Sequence, residues 1–187
     1  MCMNRPKANS KYNGKRLNGS TLENYLKDTY GEVKLKTYKQ IPNVKAFLQN
    51  DYGGDGDCTL TAILTVTGFY RSELNMNDVY DYIEKIAKKY FYNPKIGTAP
   101  FFNKAIVKEV FNHFKIQKPV YSKYLKNVGF NINTIMDEIR IGCHPIILSM
   151  TRDGRKYYDN HTVTIVGYNI YEDINGKEIY MLRVFDN

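Results

Sequence analysis

Residues 51–68 read Asp51-Tyr52-Gly53-Gly54-Asp55-Gly56-Asp57-Cys58-Thr59-Leu60-Thr61-Ala62-Ile63-Leu64-Thr65-Val66-Thr67-Gly68, and they decide what kind of fold this chain makes. The first seven, acidic and glycine-rich, form a loop that no regular element tolerates. From Cys58 onward the sequence is apolar on almost every side, with an acidic residue before it and a glycine at its end. That pattern reads as a buried helix over 58–68 with Asp57 at or near its N-cap. The threonines, isoleucine and valine in it are equally compatible with a buried strand.

Upstream of that stretch, residues 41–50 are led by Pro42 and look extended or only briefly helical. From Thr21 through Lys39 a weak helical pattern, carried by Leu22, Tyr25 and Leu26, runs into a break at Tyr30-Gly31. Residues 1–20, rich in Lys, Asn, Gly and Ser, read as a flexible basic arm. Downstream, helices are expected over 77–90, with Val79, Ile83, Ile86, Ala87 and Tyr90 on one face, and over 99–114, with Phe102, Ala105, Ile106, Val110 and His113 on one face. Thr98 suits the N-cap of the second and Pro100 its first turn. A short helix over 132–141 closes at Gly142.

The last third changes period. Residues 145–150 form a buried strand and 161–168 alternate apolar and polar side chains. A third strand, 178–185, follows a loop carrying Asn175-Gly176, a strong hairpin signal. Helices first and antiparallel strands second predict an α+β domain over 21–187 with two segregated halves.

The chain has 187 residues, with 27 Lys and Arg against 19 Asp and Glu for a net charge of +8; at roughly 150 residues per domain that is one domain and a short arm. With 43% apolar and 14% aromatic residues it is too rich in core-forming side chains for a disordered basic tail. Three cysteines, Cys2, Cys58 and Cys143, are an odd number, which argues against a secreted disulfide framework. No CxxC occurs and His113, His144 and His161 are far apart, so no metal or other cofactor is expected. Asp51, Asp55 and Asp57 around Gly56 resemble a calcium loop, but Ala62 stands where the distal glutamate belongs. The basic N-terminus lacks the apolar run of roughly 7 to 15 residues that a signal peptide needs, and nothing approaches about 18 consecutive apolar residues. The sequence as written is therefore expected to be cytoplasmic and without a membrane span, export within a larger precursor being the alternative.

Cys58 follows an acidic, glycine-rich loop and stands at a predicted helix start, where backbone N–H groups and the helix dipole favour a thiolate. Two readings compete: a small buried hydrophobe, the commonest fate of a free cysteine, or a nucleophile, which the loop-to-helix position favours. His161 opens a strand, a firmer mount for an imidazole than a loop, and a carboxylate on the neighbouring strand would set its tautomer. Otherwise His161 is a surface residue at a strand start and Asp186 a solvated carboxylate. From a turn centred between Asn175 and Gly176, His161 is about 14 residues back and Asp186 about 10 forward, a mismatch of about four that a bulge or uneven loop absorbs. Cys143 and His144, bracketed by Gly142 and Pro145, read as a structural turn. His113, beside Phe111 and Phe114, reads as a core or boundary histidine, and Cys2 as an exposed thiol on the arm.

The order Gln49, Cys58, His161, Asp186, and the wording of residues 56–62 (GDCTLTA), 160–168 (NHTVTIVGY) and 184–187 (VFDN), resemble papain-fold cysteine peptidases, and among them the bacterial double-glycine leader peptidase-like branch that processes bacteriocins. The resemblance covers roughly residues 41–187. It implies a papain-like fold, a helical N-terminal half packed on a C-terminal antiparallel sheet, with Cys58 as nucleophile, His161 as general base, Asp186 as orienting residue and Gln49 as oxyanion donor. Asn187 is an alternative orienting residue. Two features differ from that branch: Gln49 stands further from Cys58 than is usual, a difference the Gly53-Gly54-Asp55-Gly56 insertion accounts for, and Thr59 occupies a position commonly held by glycine.

The activity so implied is peptide-bond hydrolysis through a thioester, with a peptide or protein as substrate and no cofactor. An acyltransferase or transglutaminase-like enzyme would use the same triad with a different acceptor. A non-catalytic papain-fold binding or adaptor protein is the other alternative, and for it speak Lys34, Lys36 and Lys39, the Lys85, Lys88, Lys89 cluster, the basic arm and 17 tyrosines, which together could meet a polyanion. No nucleic-acid motif occurs and charge runs on helices are usually solvated faces, so nucleic acid is not an expected partner.

Overall fold

The computed structural model describes residues 17–53, 56–122, 132–150 and 161–186. In chain order these form α1 (Gly19–Tyr30), β1 (Val33–Gln40), α2 (Gln49–Tyr52), α3 (Cys58–Tyr70), α4 (Met76–Lys89), a 3₁₀ turn (Pro100–Phe102) leading into α5 (Asn103–His113), α6 (Ile132–Asp137) continued by a π turn (Glu138–Gly142), and the strands β2 (Ile146–Met150), β3 (His161–Asp173) and β4 (Glu178–Phe185). Residues 1–16, which hold Cys2 and most of the expected basic arm, lie outside the described residues, as does Asn187. The end of that expected arm is corrected: Gly19 and Ser20 already belong to α1.

The stretch at 58–68 is a helix and not a strand. Every residue from Cys58 to Thr67 is buried, the condition of a helix that is apolar all round. Its β-branched content did not make it a strand because the threonine hydroxyls are satisfied in a helical setting. Thr61 Oγ1 donates to the Asp57 carbonyl at 2.9 Å and Thr67 Oγ1 to the Ile63 carbonyl at 2.8 Å, the backward bonding that threonine makes inside helices. Thr65 Oγ1 accepts from the Phe47 N–H at 3.3 Å. The helix packs against α4 and α5 on one side and against β2 and β3 on the other. Leu60, Ile63 and Leu64 join Val79, Ile83 and Ile86 of α4 and Ile106 and Val110 of α5 in one core cluster. Ile63 is fully buried there, so Ile63→Ala is expected to lower stability by about 2–5 kcal/mol, read as a shift of the urea midpoint at unchanged slope.

The four strands form one antiparallel sheet around β3. Along one edge β4 pairs with β3 from Glu172↔Glu178 to Thr164↔Phe185. Along the other edge β2 pairs with the first part, Ile146↔Ile165 to Met150↔His161, and β1 with the second, Gln40↔Gly167 to Val33↔Asp173. The two meet at Gly167, where a Cβ would run into the Lys39 carbonyl, so the junction needs glycine. Ile41 N–H then continues the contact by donating to Val166 O at 2.8 Å. A second cluster of Ile41, Ile139, Ile165, Tyr168 and Ile170 lies apart from the helical one.

The α+β expectation holds, with one correction to the segregation of its halves: β1 brings a strand from the N-terminal part into the sheet. Its mostly exposed side chains include Lys34, Lys36 and Lys39, a usual way to blunt a sheet edge. Two local expectations also change. His113 is exposed and stacks on Tyr82 with ring centroids 3.8 Å apart, so it is not on the inner face of α5. The 99–114 helix opens as a 3₁₀ turn with Ala99, not Thr98, at its N-cap position. Among the described residues no helix is long and apolar enough to cross a membrane.

Candidate active site

Cys58 is the first residue of α3 and is 7% exposed. The loop before it is fixed from two directions. Gly56 N–H donates to the Pro94 carbonyl at 3.0 Å, and a Cβ at Gly56 would collide with that same carbonyl. Asp57, 1% exposed, occupies the N-cap position but makes no side-chain cap, which corrects the capping role expected for it. Its Oδ2 accepts from the Tyr80 hydroxyl at 2.9 Å and its Oδ1 from the Tyr92 hydroxyl. Burial, and then the hydrogen bond to this carboxylate, push both phenols well above their ordinary range.

His161 is the first residue of β3, and its Nε2 lies 2.6 Å from Asp186 Oδ1. The strand register explains the meeting. Continuing the pair Thr164↔Phe185 by one step sets Asp186 opposite Val163, two residues from His161 and on the same face of the strand, a diagonal that side chains span. Part of the expected mismatch is absorbed by the irregularity between Ile165 and Gly167. The His161 side chain is 17% exposed and that of Asp186 35%, so the pair is sheltered without being sealed.

The ring also acts on the Cys58 thiol, and hydrogen bonding with His161 is the largest influence that lowers it. With Nε2 engaged by Asp186, Nδ1 is the nitrogen left over for the sulfur. Burial pushes the Cys58 thiol up, but the hydrogen bond from His161, the Thr162 N–H, the charge on His161 and the Thr162 hydroxyl together bring it below its ordinary value. The hydrogen bond to Cys58 raises His161, burial opposes this, and Asp186 raises it further. Both shifts favour a thiolate facing an imidazolium.

Three of the four expected site residues thus come together. Gln49 opens α2, a single turn that packs against α3; among the described residues its buried Oε1 has no hydrogen-bond partner and no hydrogen bond joins it to Cys58. Cys143 follows the π turn in a left-handed conformation, φ 50°, and His144 Nδ1 faces Glu138 at 3.7 Å, in keeping with a structural turn. A cleft of about 370 Å³ lined by Phe47, Tyr52, Gly68 and Met76 opens near the far end of α3, so it is not built around Cys58. Among the described residues no group of three or more His, Cys, Asp or Glu could hold a metal ion.

Sequence reading missed Thr162, Tyr80 and Tyr92. Thr162 Oγ1 lies 2.9 Å from both Thr59 Oγ1 and Ser149 Oγ, and Asn103 Nδ2 donates to Ser149 at 2.8 Å. Thr59 therefore links α3 to the strand that carries His161. The alternation of 161–168 could not point to Thr162, since alternation puts the polar residues on the solvent face, whereas β3 is buried on both faces.

A thiol and an imidazole in hydrogen bond, the imidazole held by a carboxylate, form the elementary set for nucleophilic acyl transfer. The model of the peptidase C39-like family matches residues 40–182, a span that takes in Gln49, Cys58 and His161 and stops short of Asp186. No curated protein and no solved structure matches the chain.

Proposed function

The chain belongs to the peptidase C39-like family, and from that premise we propose that it is a cysteine peptidase working through Cys58, His161 and Asp186. One observation carries the proposal: a His161 ring held at 2.6 Å by the Asp186 carboxylate and acting on the Cys58 thiol so as to lower it, the three residues standing at the start of β3, just after β4 and at the start of α3.

The Cys58 thiolate attacks the carbonyl carbon of a peptide bond, forming the C–S bond and placing the electron pair on the carbonyl oxygen. That oxyanion is met by the Cys58 backbone N–H and, once substrate is seated, by the Gln49 side-chain amide, each donor contributing about 3 kcal/mol. As the tetrahedral species collapses the C–N bond breaks and His161 gives its proton to the departing amine. Neutral His161 then takes a proton from water, whose oxygen attacks the thioester; the acid product leaves and the thiolate–imidazolium pair is restored. Asp186 holds the ring so that Nδ1 faces the sulfur, and stabilises its charged form.

The test is hydrolysis of a mixed peptide library under reducing conditions, followed by mass spectrometry across pH. A bell-shaped profile is expected. Activity falls on the acid side as the thiolate is protonated, below the ordinary thiol value of about 8.5, and on the alkaline side as the imidazolium is lost, above the ordinary imidazole value of about 6.5. No cleavage of any peptide, or a rate that rises only with an ordinary thiol pKa, speaks against the proposal.

A further inference from the structure

We propose that Tyr80 and Tyr92 act through Asp57 as positioning residues for Cys58, holding the Asp57 carboxylate against the α4 side so that it does not cap α3. The inference rests on the peptidase reading of Cys58 and deepens it. An aspartate at an N-cap position ordinarily accepts from the N–H groups two or three residues on, here those of Thr59 and Leu60. Asp57 does not; its two oxygens are divided between two phenols. Tyr80 stands in α4 and Tyr92 just beyond its end, where Tyr92 N–H donates to the Ala87 carbonyl at 3.1 Å, so the donors share one firm support. A Cβ at Gly53 would overlap the carboxylate and the Tyr80 hydroxyl, so Gly53 lies directly against the cluster.

Two chemical consequences follow. A carboxylate released to cap α3 would compete for the helix-start amides with the thiolate and with the substrate oxyanion, and would bring a second negative charge toward the sulfur. Cys58 is also the next residue in the chain, so displacement of Asp57 moves the sulfur relative to His161, and such geometry tolerates little error. Among the described residues the ionisable group acting on the sulfur is His161, with Asp186 behind it, and Asp57 is its neighbour in the chain.

The experiment measures alkylation of Cys58 by iodoacetamide between pH 5 and 9 in the full chain, in Tyr80→Phe, Tyr92→Phe, the double variant and, as reference, His161→Ala, with circular dichroism on each. The double variant is expected to keep the parent spectrum and to alkylate roughly tenfold more slowly at low pH, the equivalent of about one unit in the thiol pKa, with each single variant in between. A folded double variant with the parent's pH profile overturns the positioning role. If the double variant does not fold, the folded single variants decide, and parent profiles in both overturn it. When parent alkylation at low pH is fast and depends on His161 but ignores the tyrosines, the positioning role fails and the peptidase reading stands. When the parent itself reacts like an ordinary thiol and His161→Ala changes nothing, the peptidase reading fails and takes the positioning role with it.

Discussion

Cys58→Ala is expected to reduce peptide hydrolysis by at least about 10⁴-fold in kcat/KM while the protein stays folded. Alanine removes only the sulfur, at a site where the side chain is already small and buried, and it is the best helix former available for the first position of α3. What disappears is the nucleophile itself, so no thioester forms and only binding and oxyanion stabilisation remain. A thiol-directed epoxide should add one increment of mass to the parent, mapped to Cys58, and none at that position in the variant. Cys143, the other free cysteine among the described residues, lacks a comparable setting. Its neighbouring imidazole is turned to Glu138. Labelling at Cys143 together with full activity in Cys58→Ala would show that the assignment is wrong. Polyanion binding that persists in Cys58→Ala and falls steeply with salt would instead mark a binding protein.

Three of the lysines that speak for that second outcome are held in ion pairs. Lys36 is paired with Glu172 and Glu178 across the sheet, Lys88 with Glu84 and Lys89 with Glu109. Exposed pairs of this kind add little stability, but they neutralise Lys36, Lys88 and Lys89 within the basic runs of the described residues. A surface that steers a polyanion keeps its positive side chains unneutralised along one path.

What the sequence made legible follows from the range of the interactions involved. α4, α5 and the C-terminal strands carry marked apolar patterns and lie close to where those patterns put them, while α3, apolar all round, has no period and is located by the acidic, glycine-rich loop before it. The His161–Asp186 pair was readable because a hairpin fixes its own register, leaving only the bulge near Val166 and a diagonal step to be found. β1 was not readable as a strand: it lies at a sheet edge with mostly exposed side chains, so burial left no mark on it, although its lysines alternate over Lys34 and Lys36 and then slip at the irregularity between Leu35 and Thr37. The departure of Asp57 from capping was beyond reach for another reason. A local rule, aspartate before a helix, is overridden by two tyrosines 23 and 35 residues away, and nothing in the spacing of Tyr80 or Tyr92 distinguishes them from the other tyrosines of the chain.

His161→Ala tests the other half of the pair and separates two contributions that Cys58→Ala removes together. The hydrogen bond from the ring is the largest influence lowering the Cys58 thiol, and it works against burial. Without the ring, burial dominates and the thiol is expected to rise above its ordinary value, so alkylation below pH 7 should collapse and recover only in alkali. Hydrolysis loses more than the thiolate, since the departing amine also loses its proton donor; a fall of at least about 10³-fold in kcat/KM is expected, not restored by raising the pH. Asp186→Asn should stand between parent and His161→Ala. The ring keeps its place and its bond to Cys58, but the carboxylate that raises His161 is gone, so the alkaline limb of the pH profile should move down toward the ordinary imidazole value. Stability carries the same sign: a His161 value raised by folding stabilises the protein fully below the unfolded imidazole value of about 6.5, and that stabilisation is lost as pH rises through the folded value. Thermal melts of the parent should therefore lose part of their advantage over His161→Ala on going from acid to alkaline pH, and an advantage that grew with pH instead would mean that the imidazolium is not the form the fold holds.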